Sequence, residues 1–288
     1  MVSSLASNKK KLPPSPRIVK TQPSPRKESS STKMLSILDL FTAEKPVWAT
    51  NDLIEALETS RSTGYRYIKH MQEFGLLSAV GNGFYVLGPR IIEMDLQIRN
   101  CDPLTIASRG VLEQLVDTTG HSALLCTVYS NSVLCVATHL APLSPENLFS
   151  RGQRRPLFRG AVSKVILAHI PFHRLKSIYT RNAEVIREVD LGDSWDAFRS
   201  NLNKIRKAGY AITYGEFNPN IVGVASPIFN AEDGILGSVG VAWHKGDVPE
   251  SECGKIALAV KRAAREITQR VSQTMNGMAL PPRAVGQA

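Results

Sequence analysis

Residues 59–71 read TSRSTGYRYIKHM, and the direction in which these side chains point decides what the first third of the chain is. At 100° per residue, Gly64, Tyr67, Ile68 and Met71 fall within about 100° of one another and form a packing face. Ser62, Tyr65, Arg66 and Lys69 lie opposite, with Glu73 a turn further on. A glycine inside a helix costs roughly 1 kcal/mol relative to alanine, a cost that makes sense where another helix backbone passes close to Gly64. The outward face carries hydroxyl, phenol, guanidinium and ammonium groups near the helix N-terminus. Such groups contact phosphates and base edges when a helix enters the major groove. A solvated face on an ordinary surface helix would look the same in isolation, so the neighbours decide.

Upstream, KMLSILDLF puts Met34, Ile37, Leu38 and Phe41 at helical spacing, and Pro46 breaks the pattern. TNDLIEALE follows with Thr50 or Asn51 as N-cap and Leu53, Ile54 and Leu57 on one side. Downstream, Gly75 reads as a helix C-cap, and LLSAV and FYVLG flank Gly81-Asn82-Gly83 as a hairpin. Helix, helix, tight turn, helix, hairpin is the order of a winged helix-turn-helix. GPRIIEMDLQIRN, 88–100, reads as a linker helix.

The net charge of +10 is unevenly spread. Residues 1–33 hold eight Lys/Arg against one Glu, residues 34–90 five against six, and the remainder 22 against 18. The basic excess therefore sits mainly in the N-terminal tail, and a polyanion partner is not indicated by charge alone. Residues 1–32 are rich in Ser, Pro and Lys/Arg without an aromatic, so they are expected to be disordered. The repeated Ser-Pro-Arg would suit an arm along a DNA groove; a solvated tail and a transit peptide are the alternatives. No run of 18 apolar residues and no secretory h-region are present, so a cytoplasmic protein with no membrane partner is expected.

A second domain is expected from residue 101 to 275, with a disordered tail at 276–288. LTIASRGVLEQLVDTTG is helical, SALLCTVYS and SVLCVATHL form a hairpin, and RGQRRPLFR (151–159) is an irregular basic stretch entering the helix AVSKVILAHI. SWDAFRSNLNKIRKAGY is another helix, VGVASPIFN and ILGSVGVAW a second hairpin, and 249–275 a long closing helix. Alternating helices and antiparallel hairpins give an α+β domain, a sheet covered by helices.

TSRSTGYRYIKHMQEFGLL, FYVLGPRIIE, RPLFRGAVSKVILA, IRKAGYAITYGEF and VGVASPIFNAEDGILGSVGVAW, in this order over residues 33–275, resemble the IclR family of bacterial transcription regulators. That resemblance implies a two-domain α+β fold: a winged helix-turn-helix at 33–88, a linker helix at 89–100 and a GAF-like effector-binding domain at 101–275. It implies a double-stranded DNA operator, palindromic and bound as a dimer or tetramer, and a small-molecule effector, a carboxylate or aromatic acid. Ser62, Thr63, Tyr65, Arg66 and Lys69 would face the groove and its phosphates, with Asn82 on the wing tip.

The chain departs from the family pattern at Glu58, where a turn glycine is usual, and at Phe158, Val162, Ser163, Gly223, Gly240 and Ala242. Loss of the family's polar groups at the last positions leads to an expected pocket that is roomier and more apolar, suited to an aromatic or longer-chain acid. Its walls would include Phe158, Ala161, Val162, Tyr214, Gly223, Gly240 and Ala242. One of Arg151, Arg154, Arg155 or Arg159 would pair with the ligand carboxylate, unless that cluster is a solvated loop or subunit contact.

Catalytic signals are weak. Cys126, Cys135, His121 and His139 lie on or beside one hairpin but lack metal-site spacing, and small core thiols explain the cysteines better. Lys164 has no evident base, GVASP lacks the Gly-x-Ser-x-Gly elbow, and no phosphate-binding glycine loop occurs. A ligand-responsive regulator without cofactor or metal is the expectation. The alternatives are an enzyme with residues 101–275 catalytic, and a constitutive repressor whose effector domain no longer binds ligand.

Overall fold

The computed structural model describes residues 29–145 and 148–277, and the chain divides into two compact units, one up to Glu93 and one from Met94. The N-terminal unit holds α1 (Ser30–Leu35), a 3-10 turn (Ser36–Leu40), β1 (Trp48–Ala49), α2 (Thr50–Ala56), α3 (Arg61–Glu73), β2 (Leu77–Ala79) and β3 (Phe84–Leu87). α4 (Arg90–Cys101) continues from it across the division.

The packing face of α3 is Gly64, Tyr67, Ile68 and Met71, all buried. They join Ile37, Leu53, Ile54, Leu57 and Leu77 in one core. Gly64 lies where α2 crosses: a Cβ there would sit 2.6 Å from Ile54 Cγ1, so only glycine lets the two helices approach this closely. The turn between α2 and α3 places Glu58 at φ +48°, a left-handed conformation held without glycine. Lys33 Nζ donates to the Leu57 and Glu58 carbonyls across it, at 3.4 and 3.3 Å. β3 is the centre strand of a three-stranded antiparallel sheet, β1-β3-β2. Gly81, Asn82 and Gly83 turn the hairpin with positive φ throughout.

Three local readings differ from expectation. The tail expected to be disordered through residue 32 already forms helix from Ser30, because the Ser29 hydroxyl accepts the Thr32 N–H at 3.1 Å and caps it. The rest of that expectation, residues 1–28, lies outside the described residues, as does the tail beyond 277. α2 is capped by neither Thr50 nor Asn51: Ala49 is the N-cap and Thr50 Oγ1 instead donates to the Gly83 carbonyl at 2.8 Å. The helix expected over 34–41 gives way after Leu35 to the 3-10 turn.

The C-terminal unit contains α5 (Pro103–Ser108), α6 (Val111–Thr119), β4 (Ser122–Tyr129), β5 (Ser132–His139), β6 (Arg154–Pro156), α7 (Ala161–His169), α8 (Phe172–Glu188), α9 (Trp195–Ala208), β7 (Ala211–Tyr214), β8 (Ile221–Phe229), β9 (Ile235–His244) and α10 (Glu250–Gly277). The strands form one antiparallel sheet in the order β6-β5-β4-β9-β8-β7. Strand alternation sends Leu125, Val224, Val241 and Trp243 to a core under α5, α6 and α10. Leu124, Cys126, Ala225 and Ala242 go to a second core under α7, α8 and α9. Sequence periodicity misses α8, whose buried positions Leu175, Ile178 and Ile186 straddle a non-helical residue, Asn182 (φ −133°), that shifts the phase.

Candidate functional site

On α3, Ser62, Tyr65, Arg66 and Lys69 are exposed, Tyr65 by 53%. Thr63 is half-buried and works locally: its N–H donates to Ser60 Oγ at 3.4 Å, and its Oγ1 accepts from the same hydroxyl at 2.9 Å. Thr63 thus shares in the helix N-cap while remaining partly exposed. Lys69 lies 3.8 Å from Glu73 in an exposed pair, an arrangement of small energetic weight that leaves the ammonium available. Asn82 is exposed at the hairpin tip. Arg61, not singled out from the sequence, is also exposed at the first position of α3, one turn before Tyr65. Its signal was present as a basic residue right after the capping serine.

In the C-terminal unit a cavity of about 50 Å³ lies between α7 and the sheet. Ala161, Val162, Gly223 and Ala242 line it, as do Leu124, Leu148, Arg155, Thr213, Glu216 and Phe217. Phe158, Tyr214 and Gly240 do not. Phe158 is buried in the core around α7, and Tyr214 follows Thr213 on β7, so the pleat turns it outward to 48% exposure. Gly240 is covered by β8, where an added Cβ would meet the Val224 carbonyl at 2.5 Å.

The expected roomy, apolar pocket is also corrected. Polar groups enter from β6, β7 and the turn after β7, inside two of the quoted blocks but at positions not assigned to the pocket. Thr213 Oγ1 accepts the Ala161 N–H at 3.0 Å, and Glu216 accepts the Gly160 N–H at 2.9 Å and the Lys164 ammonium at 2.5 Å. These side chains occupy the start of α7, and a cavity of this size holds only a few water-sized groups.

Of the four arginines considered, one belongs to the cavity. Arg151 is bound to Asp95 of α4, with Nε at 3.1 Å and Nη2 at 2.7 Å from the same carboxylate oxygen. Arg154 stacks over Tyr129, and Arg159 is exposed. Arg155 lines the cavity between the rings of Phe149 and Phe217, 4.1 and 3.9 Å from their centroids. Its Nε is buried and has no hydrogen-bond partner among the described residues. Burial holds the guanidinium down at about 10, still charged at neutral pH. Among the described residues no carboxylate pairs with it, and a buried cation left in that state is costly and attracts an anion. Asp95, by contrast, is held below the ordinary carboxylate range chiefly by its hydrogen bond from Arg151.

The residues weighed for zinc do not gather. Cys126 and Cys135 face each other in the core under α7, whereas His121 stacks on Trp243 at 5.1 Å on the other side of the sheet. Among the described residues no helix is long and apolar enough to cross a membrane.

Residues 30–81 match the IclR helix-turn-helix domain, and residues 99–269 match the C-terminal domain of the bacterial transcriptional regulator IclR. The chain belongs to the IclR family. Among its relatives is the HTH-type transcriptional regulator KipR of Bacillus subtilis, 22% identical over 250 residues, covering 86% of this chain and 99% of KipR. Another is the Escherichia coli regulator XynR, 22% identical over 241 residues, with 83% and 96% covered. The Thermotoga maritima IclR structure superposes with a TM-score of 0.62 at 21% identity, over 84% of this chain and 98% of that one. An IclR homolog from Microbacterium hydrocarbonoxydans in complex with 4-hydroxybenzoate superposes at 0.69 and 18% identity, over 84% and 99%. This family member is thus a transcription regulator with a DNA-binding helix-turn-helix, and the enzyme reading falls with the family assignment.

Proposed function

We propose that the protein represses or activates transcription in response to a small organic acid bound in the cavity of its C-terminal unit. The observation that carries this reading is Arg155, a buried guanidinium at the edge of a cavity whose Nε has no partner among the described residues. The Microbacterium homolog's 4-hydroxybenzoate supports an acid as the ligand class. In the conformation seen, about 50 Å³ suits an acid of a few heavy atoms, and an aromatic acid requires Phe217 and its turn to swing out.

On the DNA side, Arg61, Ser62, Tyr65, Arg66 and Lys69 read and clamp the operator, and Asn82 touches the adjoining backbone from the wing. Two copies on a palindrome, joined through α4, match a two-fold operator. α4 supports this role: none of its residues is buried, and Ile92, Leu96 and Ile98 stand exposed along it.

The route between the two activities runs through residues 148–155. Leu148 and Arg155 touch the cavity, and between them Arg151 grips Asp95 on α4. An acid that draws Arg155 inward favours one arrangement of this segment, and the ion pair hands that preference to α4.

Calorimetry with pyruvate, benzoate and 4-hydroxybenzoate, run beside gel shifts on the DNA upstream of the protein's own gene, tests the reading. At least one acid is expected to bind and to change the shift, and Arg155→Gln is expected to lose the acid while keeping DNA binding. Acid binding that survives Arg155→Gln overturns the anchor, and DNA binding indifferent to every acid favours a constitutive repressor.

A further inference from the structure

Beside the cavity lies a pair of thiols that the regulatory reading does not use. Cys126 on β4 and Cys135 on β5 are directly opposite in the hairpin register. The Cys135 N–H donates to the Gln153 carbonyl at 3.0 Å, and its own carbonyl accepts from Gly152 at 2.9 Å, so both backbone groups point away from β4. The two cysteines therefore form a pair without backbone hydrogen bonds between them, next to a β-bulge at Leu125/Cys126. In such pairs the Cα atoms stand about 4.5 Å apart, inside the roughly 4.4–6.8 Å that a disulfide spans. Both side chains are fully buried and both thiols are free.

The surroundings make the two thiols unequal. Register sets Arg155 opposite Val133, two residues from Cys135 on the same face. A hydrogen bond from Cys126, with Arg155 and Arg151 nearby, pulls the Cys135 thiol below its ordinary value, while burial pushes Cys126 well above. The neutral Cys135 thiol rests 3.7 Å from the Phe149 carbonyl.

We propose that Cys126 and Cys135 are an oxidation site at which a small peroxide converts the dithiol to a cross-strand disulfide. A peroxide is small enough to enter the adjacent cavity, whose wall includes Arg155 and also Leu124, which shares a core with both thiols. The Cys135 thiolate attacks one peroxide oxygen, the O–O bond breaks, and the departing hydroxide takes a proton and leaves as water. Cys135 is then a sulfenic acid. Cys126 gives up its proton and attacks that sulfur, the S–S bond forms, the S–O bond breaks, and a second water leaves. The two thiols lose two electrons, which reduce the peroxide, and a dithiol reverses the reaction. The site does not depend on which acid the cavity takes.

The test uses full-length protein carrying Cys101→Ser, which removes the exposed thiol. After hydrogen peroxide treatment, the protein is unfolded in iodoacetamide and mapped by peptide mass spectrometry. The expected product is a Cys126–Cys135 linked peptide that dithiothreitol reverses, with the buried Cys253 still reduced. In Cys126→Ser protein, dimedone is expected to trap a sulfenic acid on Cys135. The proposal is overturned if Cys126 and Cys135 stay fully alkylatable, or if Cys135 is oxidised no faster than Cys253. Both results come from a chain that keeps both thiols, so neither depends on how the variant folds.

Discussion

Arg66 shows how much a single side chain carries when it stands on the outward row of α3. It is exposed, and it has Tyr65 and Lys69 beside it. Replacing Arg66 with Ala is expected to cost about 1–3 kcal/mol of operator affinity and to relax sequence preference. Quantitative footprinting on matched and scrambled sites checks this, with calorimetry to confirm that acid binding is unchanged; a wild-type footprint would remove Arg66 from the interface. Glu58 makes a different argument. Its positive φ costs an L-residue roughly 1 kcal/mol, so Glu58→Gly should stabilise the helix-turn-helix by about that much, less the extra chain entropy of glycine. Slower amide exchange in α2 and α3 of the variant is the expected readout, and faster exchange would mean that the Glu58 side chain holds the turn in some other way.

At the scale of the element, the Arg151–Asp95 pair joins residues 148–155 to α4. Asp95→Asn keeps the shape of the contact but removes the charge that Arg151 grips in two places. The variant is expected to bind operator and acid each within about twofold of wild type, while the acid no longer alters operator affinity, a coupling typically worth about 1–3 kcal/mol. Gel shifts titrated with acid measure it; full coupling in the variant would place the route elsewhere. The elements also differ in how far the sequence revealed them. The two faces of α3 follow from local phase, so Gly64, Tyr67, Ile68 and Met71 were readable as packing residues from spacing alone. The wing was readable because Gly-Asn-Gly leaves the chain few other options. α8 was hidden by the phase break at Asn182. The cavity was half legible: Ala161, Val162, Gly223 and Ala242 were assigned to it from the family blocks, while Thr213, Glu216 and Arg155, in those same blocks, are brought to it by the sheet order β6-β5-β4-β9-β8-β7. Strand neighbours far apart in the chain leave no periodic trace.

Over the whole molecule, acid sensitivity has two separate windows. His169 and His121 are both held below the ordinary histidine value, first by burial. For His169 the Arg206 charge adds to this, while the Val165 carbonyl at 2.8 Å opposes it. The folded C-terminal unit thus refuses a proton that the unfolded chain accepts. Stability is complete above about pH 6.5 and falls as pH drops through the lowered folded values. Asp95 adds a smaller loss of the same sign below the ordinary carboxylate range, reduced because the pair is partly exposed. Urea titrations at pH 7.5 and 5.5, buffered at equal ionic strength, should show wild type losing more stability on acidification than His169→Gln; equal losses would clear His169 of the effect. The exposed apolar residues of α4, Ile92, Leu96 and Ile98, have a further consequence. If operators accept only the paired species, its abundance at low expression rises as the square of the chain number, so doubling the gene dose would quadruple the active form. A cell carrying this regulator would then meet a steep threshold in its own supply of the protein, set by mass action before any acid arrives.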